Sequence, residues 1–176
     1  MPISLVGASG MPSGSVLQVQ HTQHTGQSSF ACTAVTDRIL GVLTVNITPT
    51  ATNSVIKLDA QIFGEFDTTL STAWNHMFFF YRDTTKLGQA AAGDRLVGVS
   101  MITQTYSQSG QNAGSTPECG IISFFDSPSS TSQITYKVGI RTRSNTTLYL
   151  NRTVDDTDAN TSERGISFIS ATEIAG

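Results

Sequence analysis

Apolar and polar residues alternate along much of this chain, which is the pattern of β-strands with one buried face. The alternation is clearest in residues 43–47, 56–62, 134–140 and 148–150, and weaker at 17–20 and 166–174. Turn residues separate these segments, for example the Gly-Gln-Asn sequence that starts at Gly110. The chain is therefore predicted to fold as a series of short strands.

Two runs are apolar at consecutive positions instead: residues 77–81 (MFFFY) and 121–125 (IISFF). Such runs are typical of strands that are covered on both faces, either by their own chain or by a neighbouring copy. If a neighbouring copy provides the cover, these runs form a seam between copies of the chain. The candidate seam residues are Met77, Phe79, Tyr81, Ile122 and Phe124.

No long helical period is present, and residues 87–95, with three alanines between glycines, are interpreted as a loop. About eight short strands favour an all-β fold, an antiparallel β-sandwich with jelly-roll topology. Residues 1–15 are rich in Gly, Ser and Pro and are predicted to form an extended N-terminal arm that docks onto a partner. Residues 16–176 are predicted to form the sandwich domain.

Composition narrows the function classes. Charged residues make up 13% of the chain, the net charge is −3, and 25 Thr and 21 Ser supply most of the polar positions. Disordered proteins carry more charge, and helical bundles need more than the four Glu and three Lys found here. The absence of a basic excess argues against nucleic acid as a partner, and no apolar run is long enough for a membrane span. Without a recognisable secretory leader, Cys32 and Cys119 are expected to be thiols.

Motifs for catalysis are missing from the sequence, so we expect no enzyme activity and no cofactor. His21 and His24 are three positions apart, which places them on opposite faces of a strand and not around one metal ion. His76, just before the MFFFY run, is interpreted as a strand residue near the seam.

The loop around Asp155 is the best candidate for a metal site. Asp156, Asp158 and Asn160 place oxygen ligands at alternating positions, which suits a hard cation such as calcium. The sixth and twelfth positions of a calcium loop would be Thr161 and Ser167, so the pattern fails as an EF-hand, and a solvated turn is the preferred interpretation.

Four of the seven arginines, Arg141, Arg143, Arg152 and Arg164, lie in the last third of the chain close to acidic residues. They are expected to form ion pairs across strands or between subunits, and a site for an anionic glycan is the alternative. Trp74 is the one Trp that could provide an aromatic platform for a sugar, although a position in the core or at the seam is favoured.

Several stretches together resemble a family of small structural proteins and tail-fibre tips from phages of marine bacteria, cyanophages especially. The stretches are residues 10–19, 79–83, 122–128, 135–138, 148–152, 164–167 and 173–175. The resemblance implies a β-sandwich that trimerises, a place in the virion and no catalytic residues. Residues 94–114 look longer and more polar than the family pattern.

The sequence and the resemblance lead to one functional expectation: a non-enzymatic, homotrimeric virion protein that serves as a tail fibre, knob or adaptor. It would be made in the host cytoplasm and would contact other virion proteins through the arm. The polar loop at residues 106–117 is the expected contact with a host-surface glycan or protein. The candidate residues in this loop are Tyr106, Gln108, Gln111 and Asn112. The alternatives are a capsid decoration or cement protein and a lectin-like carbohydrate-binding module.

Overall fold

The structure is a computed structural model that describes residues 10–67, 75–102, 114–115 and 117–176. Every regular element of more than one turn in these residues is a strand. The ten strands are β1 (Val16–His24), β2 (Ser28–Cys32), β3 (Asp37–Ile47), β4 (Val55–Phe66), β5 (His76–Arg82), β6 (Thr85–Leu87), β7 (Glu118–Asp126), β8 (Ile134–Thr142), β9 (Thr146–Leu150) and β10 (Ser167–Ile174).

The strands form two antiparallel sheets, so the predicted all-β, antiparallel sandwich is confirmed. One sheet has the order β3-β8-β5-β6. The other runs β1-β10-β4-β9-β2, with β7 also paired to β4. Because Gly64 of β4 pairs with both Glu118 of β7 and Leu150 of β9, these two strands flank β4 on opposite sides.

The core lies between the sheets and comes from the alternating segments of the sequence. On β4, Ile56, Leu58, Ala60 and Ile62 are each 0% exposed. The inward residues of β8 and β3 face them across the sandwich: Ile134, Tyr136, Val138 and Ile140 on β8, and Leu43, Val45 and Ile47 on β3. Alternation in the sequence therefore identified the buried face of these strands correctly.

Two of the ten strands, β2 and β6, were not predicted from the sequence. β2 (SSFAC) alternates only weakly, and β6 has three residues, too few to show a period. The loop expected at residues 87–95 is confirmed, since the chain turns without helix after β6. Of the two alternatives for the 121–125 run, cover of both faces within one chain is not observed, because Ile121 and Phe125 are exposed, and cover by a neighbouring copy stays a prediction.

The N-terminal strand begins at Val16, the first residue of the predicted domain. Just before it, the Gly14 amide donates to the carbonyl oxygen of Ala175 (2.7 Å), and the Ala175 amide donates to that of Ser15 (2.8 Å). The described end of the predicted arm is therefore tied to the C-terminus of its own chain. Residues 1–9 lie outside the described residues.

Candidate functional site

The outward face of β7 is the most exposed apolar surface in the described parts of the chain. Because side chains alternate, Ile122 points to the core opposite Ala60, whereas Ile121 points outward opposite Gln61. Ile121 is 69% exposed and Phe125 is 60% exposed, the two highest values among the exposed large hydrophobic side chains. Burying a side chain of this size stabilises a protein by about 1.5–3 kcal/mol.

Polar groups between these two side chains are already engaged. Lys57 of β4 pairs with Asp59 (2.9 Å), and the Ser123 hydroxyl of β7 donates to the same carboxylate. β7 pairs only with β4 among the described strands, so no described strand pairs with the edge that lies away from β4. An open edge with apolar neighbours is the usual place for another chain to bind.

The outward face of β5 is sealed by its own chain. Phe78 and Phe80 point into the core, and Phe79 points to the opposite side, yet all three are 0% exposed. The Phe79 ring lies over Gly139 of β8, where the missing side chain leaves the space for it. The Lys86 ammonium sits 3.7 Å from the centre of the ring, and Tyr81 packs edge-on against it.

A charged network around Asp37 completes this cover. Asp37 accepts a hydrogen bond from the Tyr81 hydroxyl (2.9 Å) and forms ion pairs with Lys86 (3.1 Å) and Arg141 (3.5 Å). Burial and the neighbouring carboxylate raise the pKa of Tyr81 to about 12, so its hydroxyl stays a donor at neutral pH. The 77–81 run is therefore satisfied within one chain.

The predicted seam residues separate into two groups in the structure. Phe79 and Ile122 are buried within one chain, at 0% and 2% exposure, and Met77, Tyr81 and Phe124 are partly exposed. The seam stays a prediction. The most exposed large apolar side chains among the described residues are Ile121 and Phe125, which were not among the seam residues predicted from the sequence. The sequence contained the information needed to find them, because the IISFF run is apolar on both faces of a strand. The residues that point outward also had to be considered.

The candidate metal residues are not brought together. The two carboxylate oxygens of Asp156 face two arginines: one contacts Arg152 at 2.8 Å and the other contacts Arg164. Asp158 and Asn160 are exposed. In the described parts of the chain, no group of three or more His, Cys, Asp or Glu residues is close enough to hold a metal ion. The expected ion pairs of the C-terminal arginines are confirmed for Arg141, Arg152 and Arg164.

His76 is buried at 1% exposure, where its ring packs against Phe66 with 4.5 Å between ring centres. Its Nε2 accepts a hydrogen bond from the Ile102 amide (3.1 Å). His76 therefore has a packing role inside its own chain. Cys32 and Cys119 are both free thiols in the described structure, and burial raises the pKa of Cys32 to about 11.

Five predicted residues lie outside the described part of the chain: Trp74, Tyr106, Gln108, Gln111 and Asn112. The expected receptor loop and the possible aromatic platform therefore stay predictions. Among the described residues, no helix is long and apolar enough to cross a membrane.

Comparison with known proteins gives no further assignment. No protein-family model matches the chain, and no curated protein sequence matches it.

Proposed function

We propose that this chain is a non-enzymatic structural protein of a bacteriophage virion and that it assembles as a homotrimer through the outward face of β7. The supporting observation is the exposure of Ile121 and Phe125 on an edge strand whose other face belongs to the core. A soluble particle component gains stability when sister copies cover such a surface, since burial of apolar area is favourable.

The strand order supports a jelly roll as the finer description of the fold. The strands β1-β10-β4-β7 face β3-β8-β5-β6. The chain changes sheets six times: between β2 and β3, β3 and β4, β4 and β5, β6 and β7, β7 and β8, and β8 and β9. Repeated crossing between two four-stranded layers is the pattern of a double Greek key. β2 and β9 then form an additional pair beside the end of β4.

The place in the virion rests on the sequence resemblance to phage structural proteins. Within that setting a tail fibre tip, knob or adaptor is the leading proposal, with residues 1–15 as the docking segment. A capsid decoration protein is the second candidate, since the same trimer could cap a lattice position. Both would be made in the host cytoplasm and released in the particle.

The experiment is cryo-electron microscopy of particles purified from the phage whose genome encodes this chain. We expect three copies around a local threefold axis, with the β7 strands at the contacts and the density at the tail or a fibre. Density on capsid lattice positions would favour the decoration protein. Purified particles that lack the chain would contradict the virion proposal.

A further inference from the structure

A polar cleft lies between the β1–β2 turn and the long connection from β9 to β10. It consists of a cavity of about 380 Å³ and a smaller one of about 170 Å³, and Gln27 lines both. Ser29 lies on the Gln27 side, and Asp158, Ser162 and Arg164 line the other side. The larger volume falls within the range that small-molecule sites occupy in proteins.

Both walls of the cleft are held in place by buried hydrogen bonds. Asn151, at 1% exposure, donates from its amide to the carbonyl oxygens of His24 and Gly26, both at 2.8 Å. The same side chain accepts a hydrogen bond from the Ser167 hydroxyl (2.7 Å). One buried amide therefore joins the β1–β2 turn to both ends of the 151–167 segment, and the turn and the segment form one unit.

The connection is also braced along its own length. Arg152 stacks over the Tyr149 ring at 4.5 Å and contacts Asp156, while its backbone pairs with that of Arg164. Asn151 and Asp156 both adopt positive φ, at 63° and 51°. A wall fixed in this way loses little conformational entropy when a ligand binds, which favours affinity.

The charges at the cleft disfavour an anionic ligand. Residues 151–164 contain two arginines and four carboxylates, and both arginines are engaged by Asp156. Of the two carboxylates that line the cleft, Asp158 has no ion pair within the described residues, so the unpaired charge at its walls is negative. A sulfate, phosphate or sialic acid would meet like charge here.

A simple cation is disfavoured because, within the described ranges, no three His, Cys, Asp or Glu side chains are close enough to hold a metal ion. The Arg164 side chain is 45% exposed at the wall of the larger cavity, and Arg152 lines the smaller one. Ala159 is the only apolar side chain that lines either cavity, so an apolar ligand would gain little. The remaining groups are hydroxyls, an amide, two carboxylates and two guanidinium groups, which offer donors and acceptors side by side. A ligand with many neutral hydroxyl groups matches that arrangement.

We infer that this cleft binds a neutral saccharide, with Gln27 and Asp158 contacting adjacent sugar hydroxyls from opposite walls. The inference deepens the proposed function, because it names a site and a chemical class for the surface ligand of the particle, and it depends on that proposal for its biological setting. It also places recognition on a braced part of the sandwich instead of the 106–117 loop.

Gln27 and Asp158 are suitable positions for substitutions that test this site. Neither side chain makes a hydrogen bond or ion pair within the described residues, so each can be replaced by Ala without loosening the walls. Glu163→Ala is the matched control, because Glu163 is an exposed carboxylate of the same connection that does not line the cleft.

The experiment is a screen of the full chain against a glycan array with neutral and acidic members, followed by NMR titration with each neutral sugar that binds. Free galactose, glucose, mannose, N-acetylglucosamine, fucose and rhamnose are titrated directly as well, to detect weak binding. We expect a neutral saccharide to shift the amide signals around residues 27 and 158. Gln27→Ala and Asp158→Ala should each weaken its binding about tenfold or more, and Glu163→Ala should leave it unchanged.

Three results would overturn the inference: no binding of any neutral saccharide, binding of acidic glycans only, or neutral binding that survives both cleft substitutions. The molecular mass of the same samples separates this inference from the proposed assembly. A trimer that binds no sugar would contradict only the proposed saccharide site. A monomer that binds sugar would contradict only the proposed trimer.

Discussion

The Phe79 ring occupies the space that a side chain at position 139 would need. A Cβ built on Gly139 would overlap the ring, which is itself held between Gly139, Tyr81 and Lys86. Protein interiors are close-packed, so an added methyl group can be accommodated only if the ring or a strand moves. The missing side chain at Gly139 therefore leaves the space in which the Phe79 face of β5 is covered by its own chain.

We predict that Gly139→Ala lowers the free energy of unfolding by about 1–3 kcal/mol, because overpacking displaces Phe79. Gly41→Ala is the control, since Gly41 also lies in a strand and a Cβ there has no neighbour within 4 Å. The control should change stability by about 0.5 kcal/mol or less. Urea unfolding of both variants measures the difference, and equal stabilities would show that Phe79 is not confined as described.

At the level of elements, Glu173 joins three parts of the sandwich. This β10 residue is 0% exposed and accepts hydrogen bonds from Gln18 of β1 (2.7 Å), from Ser54 (2.7 Å) and from the amide and hydroxyl of Thr50 (2.6 and 2.7 Å). Burial alone would raise its pKa, but these four donors outweigh burial and the pKa is lowered. The carboxylate thus holds β1, β10 and the β3–β4 turn together.

The lowered pKa predicts how stability depends on pH. Because the folded pKa lies below the unfolded one, the ionised carboxylate stabilises the fold above the ordinary glutamate pKa, and this contribution is lost as the pH falls through the folded value. Glu173→Gln should cost about 1–3 kcal/mol at neutral pH, since its amide nitrogen would face donors. The difference in unfolding free energy between this variant and the wild type should become smaller in acid. Glu163→Gln, at an exposed site, is the control and should show no such pH dependence. A difference in unfolding free energy between Glu173→Gln and the wild type that does not change with pH would contradict the assignment.

The elements that sequence could predict are those whose two faces differ. β4 and β8 alternate cleanly, so period alone identified both the strand and its buried side. In β7 both parities are apolar, and only the pairing of Ile122 with Ala60 and of Ile121 with Gln61 decides which side chains point outward. That register comes from tertiary pairing, which the sequence alone does not specify.

The candidate sites were harder to predict because they combine distant segments. Asp156 fits the spacing of an oxygen ligand, yet both of its oxygens face arginines, one of them on the far side of the loop. Gln27 and Asp158 line the same cavity, and the Asn151 side chain joins their two segments. No local pattern in the sequence contains that juxtaposition.

At the scale of the whole molecule, the two sheets differ in how far their own chain covers their outer faces. The outer face of β3-β8-β5-β6 is closed by Phe79, Tyr81, Lys86 and the Asp37 network of the same chain. The other sheet ends at β7 with Ile121 and Phe125 open to solvent. A single chain therefore leaves one face incomplete, and this asymmetry is the physical basis for the proposed trimer.

The most direct test of this account is the molecular mass in dilute buffer, measured by light scattering for the wild type, Phe125→Asp and the control Gln20→Asp. Gln20 is an exposed residue of β1, at the other edge of the same sheet. The account predicts three times the 18.7 kDa chain mass for the wild type and the control. It predicts a single chain for Phe125→Asp, because the substitution removes the apolar side chain and burial of a carboxylate at the seam is costly even opposite Lys57. A wild type that runs as a single 18.7 kDa chain would contradict it, and so would a Phe125→Asp variant that stays trimeric.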